Sequence, residues 1–385
     1  MYDREKDVKA IEKLLSEGRH IQVCGPRKVG KTTILENLND RLETKFYYFN
    51  CETTGVSSPV TIANSMKRLF HVNTPREAPE DSWVEVMYEV YEFLKRKNTD
   101  CIIIIDELSD SLDKMTEEER HEFLDGLLWI PDKLGIQMII CGSIGFDKIL
   151  ENYKKAYKIR AMFVPLYVEP FDEDTAQGFI KECFLGNGQT LPDGILSVLT
   201  ESITMCFGKD SLFPLFLDRF ITHTVRSHFR SSEDWQKIIT NEISNDKVNV
   251  DIDPQKKIKL EEVIKEIYDG CLQQVVDVYN RRSTGGGPLQ DLIGYIHLIE
   301  GDLTRTGTLS RNRTQLVTRI LLMGEITPVI ISSFKDQGIE TILNTLSDNY
   351  LIKSSGDNYI SYLKFLGDVW SRLHPLEGEL EERRD

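Results

Sequence analysis

The chain has 385 residues, of which 40% are hydrophobic and 28% charged, so it can bury a sizeable core and is expected to form two or three domains. Its net charge of −15 and pI of about 5.1 disfavour non-specific DNA binding by the surface as a whole, although a local basic patch stays open as an alternative. We expect no signal peptide and no membrane span, and cysteine usage typical of a reducing compartment predicts a cytoplasmic protein.

A glycine-rich stretch follows an amphipathic helix that is predicted over residues 2–17. It lies between a predicted strand at 21–24 and a predicted helix at 32–42, and it has the spacing of a phosphate-binding loop. Glycines let the backbone approach phosphate oxygens, while loop amides and the helix N-terminus attract the anion. The alternative is a glycine-rich turn that arose by chance. Such a turn would not need a strand before it and a helix after it, so these two elements favour the phosphate-binding loop. The residues predicted to bind ATP are Gly25, Pro26, Arg27, Lys28, Val29, Gly30, Lys31, Thr32 and Thr33.

Two of these residues have specific expected roles. Lys31 would reach the β- and γ-phosphates, and the Thr32 hydroxyl would ligate Mg²⁺.

Strands and helices alternate through the first 170 residues. Four further strands are predicted at 45–51, 101–107, 135–143 and 162–168, and helices at 58–71, 82–97 and 116–133. This alternation predicts an α/β fold with a doubly wound parallel sheet, whose ligands bind at the carboxyl ends of the strands. The seven cysteines lack a metal-binding spacing. The four near predicted strands are interpreted as small buried hydrophobes of a reducing compartment: Cys24, Cys51, Cys101 and Cys141.

Polar residues at the predicted strand ends are the candidates for the chemistry. Asp106 fits a Mg²⁺ partner acting through water, and Glu107 fits the base that activates the attacking water, unless the pair only caps a helix. Ser143 would bond the γ-phosphate or the water, or else be a turn residue. Arg160 would act as an arginine finger on a neighbouring subunit, or else belong to a solvated basic helix face.

The pattern changes after residue 170. Residues 172–245 are predicted to form a helical lid, 246–260 a polar linker, and 258–281 a long helix that leads into a glycine-rich turn at 285–287. Three helices at 313–323, 327–335 and 338–348 precede a hairpin at 350–360, which predicts a winged helix. The expected domains are a P-loop ATPase core at 1–170, the lid at 171–250, and a helical linker with a winged helix at 251–385.

The predicted winged helix is poorly suited to DNA. Its candidate recognition helix has two acidic residues and no Lys or Arg, and residues 313–374 carry six cations against six anions. DNA binding elsewhere, at Lys67–Arg68 or Arg281–Arg282, stays open.

The stretches GPRKVGKT, IIIIDE and IICGSIG, with Arg4-Glu5 near the start, resemble AAA+-related archaeal and bacterial P-loop ATPases of the STAND (signal-transduction ATPase) class. The resemblance implies a five-stranded sheet of order 5-1-4-3-2 with the catalytic Glu on the Walker B strand. In relatives a Gly-x-Pro motif of the lid packs near the adenine. Here Pro214 is the matching residue, although the motif around it is a poor match. Some relatives carry a C-terminal nuclease domain, and none is expected here.

Three functions follow from these residues and this resemblance. The first is a slow, Mg²⁺-dependent ATPase switch whose nucleotide state controls homo-oligomer assembly or a protein partner, in signalling or in defence against mobile elements. The second is a DNA-associated AAA+ ATPase resembling replication initiators or transposition regulators. The third, a metabolic P-loop kinase, is disfavoured by the Asp106-Glu107 pair and the large C-terminal part.

Overall fold

The computed structural model describes residues 4–38, 41, 45–51, 58–69, 83–97, 101–142, 150, 153–185, 191, 193–209, 211–231, 254–281, 289, 292–305, 311–323, 325–333, 339–348, 351–355, 357–361 and 364–375. The chain divides into two compact units. One comprises Met1–Glu169 with Asp348–Tyr350, and the other comprises Pro170–Ser347 with Leu351–Asp385.

The first unit is built on a five-stranded, fully parallel sheet. Its strand order is β2-β3-β4-β1-β5, which confirms the order 5-1-4-3-2 that the resemblance implies. The strands are β1 (His20–Cys24), β2 (Lys45–Asn50), β3 (Cys101–Asp106), β4 (Gln137–Cys141) and β5 (Phe163–Tyr167). The isoleucine run of residues 102–105 is at most 3% exposed, because a central parallel strand is covered on both faces.

Helices flank this sheet. They are α1 (Glu5–Ser16), α2 (Lys31–Asn37), α3 (Pro59–Leu69), α4 (Trp83–Lys97), α5 (Leu108–Lys114), α6 (Glu117–Leu134) and α7 (Ala156–Met162). Helix α5 was not predicted, because its seven residues are too few to show a clear apolar period. The sequence does show where α6 begins: Thr116 and Glu119 form a capping box.

The second unit is mainly helical. Its helices are α8 (Glu173–Leu185), α9 (Asp193–Phe207), α10 (Pro214–Phe220), α11 (Arg226–Ser231), α12 (Pro254–Arg281), α13 (Leu292–Arg305), α14 (Arg311–Met323), α15 (Pro328–Ser333), α16 (Ile339–Asp348) and α17 (Lys364–Leu373). A π-helical turn, Ile221–Val225, joins α10 to α11. The predicted linker 246–260 is partly wrong, because α12 already begins at Pro254, where a proline suits the first turn of a helix. Helices α13 and α17 were not predicted.

Three strands in the second unit form an antiparallel sheet of order β6-β8-β7. They are β6 (Glu325–Ile326), β7 (Ile352–Ser355) and β8 (Asn358–Ser361). The predicted hairpin is therefore present as β7 and β8, and β6 was not predicted. The order of α14, α15, α16 and this hairpin is the order expected for a winged helix, and that assignment stays a prediction. Among the described residues, no helix is long and apolar enough to span a membrane.

Candidate nucleotide and metal site

The loop between β1 and α2 has an unusual backbone. Gly25, Lys28 and Gly30 have φ angles of 141°, 65° and 102°, a region that L-residues with a Cβ rarely adopt. At Gly25 the requirement is also spatial, since a Cβ there would lie 2.4 Å from the carbonyl oxygen of Val168. The predicted glycines are thus needed for the path of the loop, and Lys28 adopts a positive φ without being a glycine.

The Lys31 side chain lies inside the loop. It is 5% exposed, and its ammonium donates to the carbonyl oxygens of Gly25 at 2.9 Å and Pro26 at 2.8 Å. A buried ammonium needs such acceptors, because burial removes its hydration. The loop therefore holds one positive charge at its centre, where an anionic phosphate group would be attracted.

Asp106, at the end of β3, is fully buried and accepts several hydrogen bonds. Its Oδ2 accepts from the Thr32 hydroxyl at 2.8 Å and from the Tyr48 hydroxyl at 2.7 Å, and its Oδ1 accepts from the Glu107 amide at 2.8 Å. Parallel strands β2 and β3 end side by side, which brings Tyr48 to the carboxylate although 58 positions separate the two residues. Tyr48 was not predicted as a site residue, because its only signal in the sequence is a polar atom near the end of a predicted strand.

Glu107 follows directly and has a left-handed backbone, with φ 52° and ψ 35°. It is the N-cap residue of α5, and its side chain makes no capping hydrogen bond there. The helix-cap alternative is therefore not supported for Glu107. The left-handed conformation costs a non-glycine residue roughly 1–2 kcal/mol, and such strain is concentrated at functional sites.

Arg4 supports the loop from outside and was singled out only as part of the resemblance. It is 7% exposed. Its guanidinium donates to the carbonyl oxygens of Val29 at 2.5 Å and Glu169 at 2.9 Å, and it pairs with Asp7 at 3.2 Å. One side chain thereby joins the start of α1, the phosphate loop and the end of the β5 segment.

Two buried thiols lie near the carboxylate. Burial raises the pKa of Cys51 to about 12, and the nearby negative charges of Asp106 and Glu107 act in the same direction. Burial also raises the pKa of Cys141 well above its usual value, with the Asp106 charge adding to the effect. Both thiols therefore stay protonated at neutral pH and are not nucleophiles. The burial of Cys51 and Cys141 agrees with their interpretation as small buried hydrophobes.

The other predicted residues are placed as follows. Ser143 lies outside the described residues. Arg160 is exposed in the last turn of α7, and Pro214 is the first residue of α10 in the second unit, so the finger and adenine roles stay predictions. Lys67 is only 6% exposed and pairs with Glu89 at 2.8 Å, and DNA binding at Lys67–Arg68 stays a prediction.

The donor set suits Mg²⁺, which prefers hard oxygen ligands. The Thr32 hydroxyl and the Asp106 carboxylate supply two such oxygens 2.8 Å apart. They lie where the phosphate loop meets the end of β3. A bound Mg²⁺ would there neutralise charge on the phosphate oxygens.

Two solved structures share the fold of this chain. The solved structure of the Walker-type ATPase PABY2304 of Pyrococcus abyssi is similar, with 16% identity, a TM-score of 0.61 and 96% of each chain covered. The ORC2 protein of Aeropyrum pernix, solved as ADPNP–ADP complexes, shows 10% identity and a TM-score of 0.55, covering 100% of this chain and 96% of that one. A comparison with curated proteins yielded no match.

The sequence model of the ATPase_2 family, described as an ATPase domain predominantly from Archaea, matches residues 1–196. This match covers half of the chain, and the sheet order is that of a P-loop ATPase. The chain therefore belongs to the ATPase_2 family and is a P-loop ATPase.

Proposed function

We propose that the protein is a slow ATPase switch whose nucleotide state controls its assembly or a protein partner. The observation that carries this proposal is the buried Asp106 carboxylate, bonded to Thr32 of the phosphate loop and followed by Glu107. In this proposal the phosphate loop, a metal-binding pair and a catalytic base act together at the carboxyl end of one sheet, and the hydrogen bonds of Asp106 support it.

The residues then have distinct tasks in hydrolysis. Lys31 attracts the β- and γ-phosphate oxygens, and Thr32 with Asp106 would hold Mg²⁺, which neutralises charge on the phosphate. Glu107 accepts a proton from the attacking water while the water oxygen bonds to the γ-phosphorus. The bond from that phosphorus to the β,γ-bridging oxygen breaks, and ADP and phosphate leave.

Two substitutions separate binding from turnover. Lys31→Ala removes the charge at the centre of the loop and should abolish ATP binding measured by calorimetry. Glu107→Gln keeps the loop, so it should bind ATP normally and lose hydrolysis measured by phosphate release. Normal turnover in Glu107→Gln would reject its role as the base.

The residues of α16, in the second unit, favour the switch over a DNA-binding function. On α16, residues Ile342, Leu343 and Leu346 are buried, and the exposed positions include Glu340 and Asn344. The described face of this helix therefore carries no cation that could pair with a phosphate. The STAND-like switch, with a role in signalling or in defence against mobile elements, rests on the resemblance of its motifs.

A DNA-associated ATPase is the second candidate. The sequence motifs leave it open, and the likeness to the ORC2 protein, at 10% identity, shows the fold alone. Gel-shift titration of the full chain with ATP, at low and moderate salt, separates the candidates. Tight and steeply salt-dependent binding would favour the DNA-associated ATPase. Absence of binding, with a change of mass in light scattering between ADP and a non-hydrolysable ATP analogue, would favour the switch.

A further inference from the structure

Tyr48 is the middle residue of a directed chain of hydrogen bonds that runs from Asn50 to Asp106. The Asn50 amide nitrogen donates to the Tyr48 hydroxyl oxygen at 3.4 Å, and that hydroxyl donates to Oδ2 of Asp106 at 2.7 Å. Because a carboxylate can only accept, the proton between Tyr48 and Asp106 belongs to the phenol. Tyr48 is thus a donor to the carboxylate.

The acceptor oxygen is shared. Oδ2 of Asp106 also accepts from Thr32 at 2.8 Å, while Oδ1 accepts from the Glu107 amide at 2.8 Å. The Thr32 hydroxyl has a single proton, and its oxygen is the atom expected to face the metal. The phenol comes from another strand and is not expected to touch nucleotide or metal. It can therefore hold the carboxylate plane throughout the nucleotide cycle.

We propose that Tyr48 is a positioning residue for the metal site: its hydroxyl keeps the Asp106 carboxylate oriented towards Thr32, and so strengthens Mg²⁺ binding with the nucleotide. This inference rests on the proposed function of Thr32 and Asp106 as the metal-binding pair. Partners that orient metal ligands from outside typically contribute roughly 10- to 100-fold to metal affinity.

The test removes only the phenol hydroxyl, in Tyr48→Phe. Binding of a fluorescent ADP analogue is measured first in EDTA and then during titration with Mg²⁺. The affinity in EDTA should match that of the original chain, because the phosphate loop is untouched. The Mg²⁺ concentration that gives half of the metal-dependent gain should rise roughly 10- to 100-fold.

Tyr47→Phe is the matched control. Tyr47 is the neighbouring residue of β2, is 9% exposed and belongs to the hydrophobic core on the other face of the strand. Its substitution also removes one phenol hydroxyl from the same strand, and it should leave the Mg²⁺ titration unchanged. An equal shift in both variants would mean a general loss of stability, and it would overturn the inference.

The outcomes also separate this inference from the proposed function. If the original chain gains no nucleotide affinity from Mg²⁺, the proposed metal site fails. If it does gain affinity and Tyr48→Phe titrates identically, only the role of Tyr48 fails.

A second measurement covers the case in which Tyr48→Phe does not fold. The chain with 3-fluorotyrosine at position 48 gives one ¹⁹F resonance from an almost isosteric side chain. That resonance should shift when Mg²⁺ is added to the ADP complex, and much less when ADP is added in EDTA. A resonance that does not respond to Mg²⁺ would overturn the inference.

Discussion

Gly25 shows how closely a single residue is constrained in the phosphate loop. Its φ of 141° disfavours a side chain, and the carbonyl oxygen of Val168 would lie only 2.4 Å from a Cβ at this position. Gly18 has a positive φ of 73°, but a Cβ there would meet nothing within 4 Å. Alanine substitutions at these two positions therefore distinguish the destabilisation caused by backbone strain from that caused by a steric clash.

Gly25→Ala should lower the free energy of unfolding by about 2–4 kcal/mol, since strain and overpacking act together. Gly18→Ala should cost only about 1–2 kcal/mol, because strain acts alone. Urea denaturation of both variants measures the difference. Equal losses would show that the Val168 carbonyl moves aside freely.

His20 gives the first unit a dependence on pH. Its Nδ1 accepts a hydrogen bond from the Met138 amide at 3.2 Å, which requires an unprotonated nitrogen. Burial lowers the pKa of His20 below its ordinary value of 6.5, and the charge of Arg19 acts in the same direction. The unfolded chain therefore takes up this proton at a higher pH than the folded chain does.

The contribution of His20 to the free energy of unfolding should be constant above about pH 6.5. It should decrease as the pH falls from there towards the pKa of His20 in the folded chain. His20→Gln keeps a possible acceptor without this titration, so its melting temperature should fall less between pH 7.5 and 5.5. His223→Gln changes an exposed histidine and serves as the control. If the melting temperatures of the original chain and of His20→Gln fell equally between pH 7.5 and 5.5, His20 would not be the source of this pH dependence.

At the scale of elements, Arg4 connects parts of the first unit that lie far apart in sequence. Its bonds to Val29 and Glu169 join the amino end of α1 to the phosphate loop and to the segment after β5. A planar guanidinium can donate in several directions at once, whereas a lysine ammonium cannot reproduce that geometry. The stability of the loop is therefore tied to a residue outside the loop.

Arg4→Lys should lower the free energy of unfolding by about 1–3 kcal/mol and weaken ADP binding, because the Val29 carbonyl loses its donor. Calorimetry and denaturation measure the two effects. Lys9→Ala on the same helix removes only an exposed pair with Glu5 at 3.8 Å and should change stability by less than about 0.5 kcal/mol. Unchanged ADP affinity in Arg4→Lys would argue against the coupling.

At the scale of the molecule, the second unit has one shared aromatic core. The Phe365 ring of α17 lies 5.1 Å from Phe207 of α9 and 4.9 Å from Phe216 of α10, measured between ring centroids. Tyr268 of α12 lies 5.4 Å from Phe207 and donates to Asp368 at 2.8 Å. The predicted lid helices α9 and α10 are therefore packed together with α17.

Phe365→Ala should cost about 3–5 kcal/mol, since it leaves a cavity among buried rings. Hydrogen exchange should then show lost protection in α9, α12 and α17 together. Loss of protection in α17 alone would instead support a separate C-terminal domain, as the sequence-based boundaries propose.

Assembly is the other property of the whole molecule. If Arg160 of one subunit meets ATP on the next, Arg160→Ala should lower turnover by roughly 10³-fold or more at concentrations where the protein is oligomeric. Lys158→Ala removes an exposed cation from the same helix and should have little effect. Normal hydrolysis by the oligomeric Arg160→Ala variant would refute the finger.

The phosphate loop, the five strands and the pair Asp106-Glu107 could be predicted from the sequence, because each has a local pattern of spacing or periodicity. The hydrogen bond from Tyr48 to Asp106, the hydrogen bond from Arg4 to the loop and the packing of α17 against α9 became visible only in the tertiary structure. Those contacts join residues far apart in the chain, and they depend on strand register and helix packing. Strand register and helix packing cannot be recognised from a short stretch of sequence.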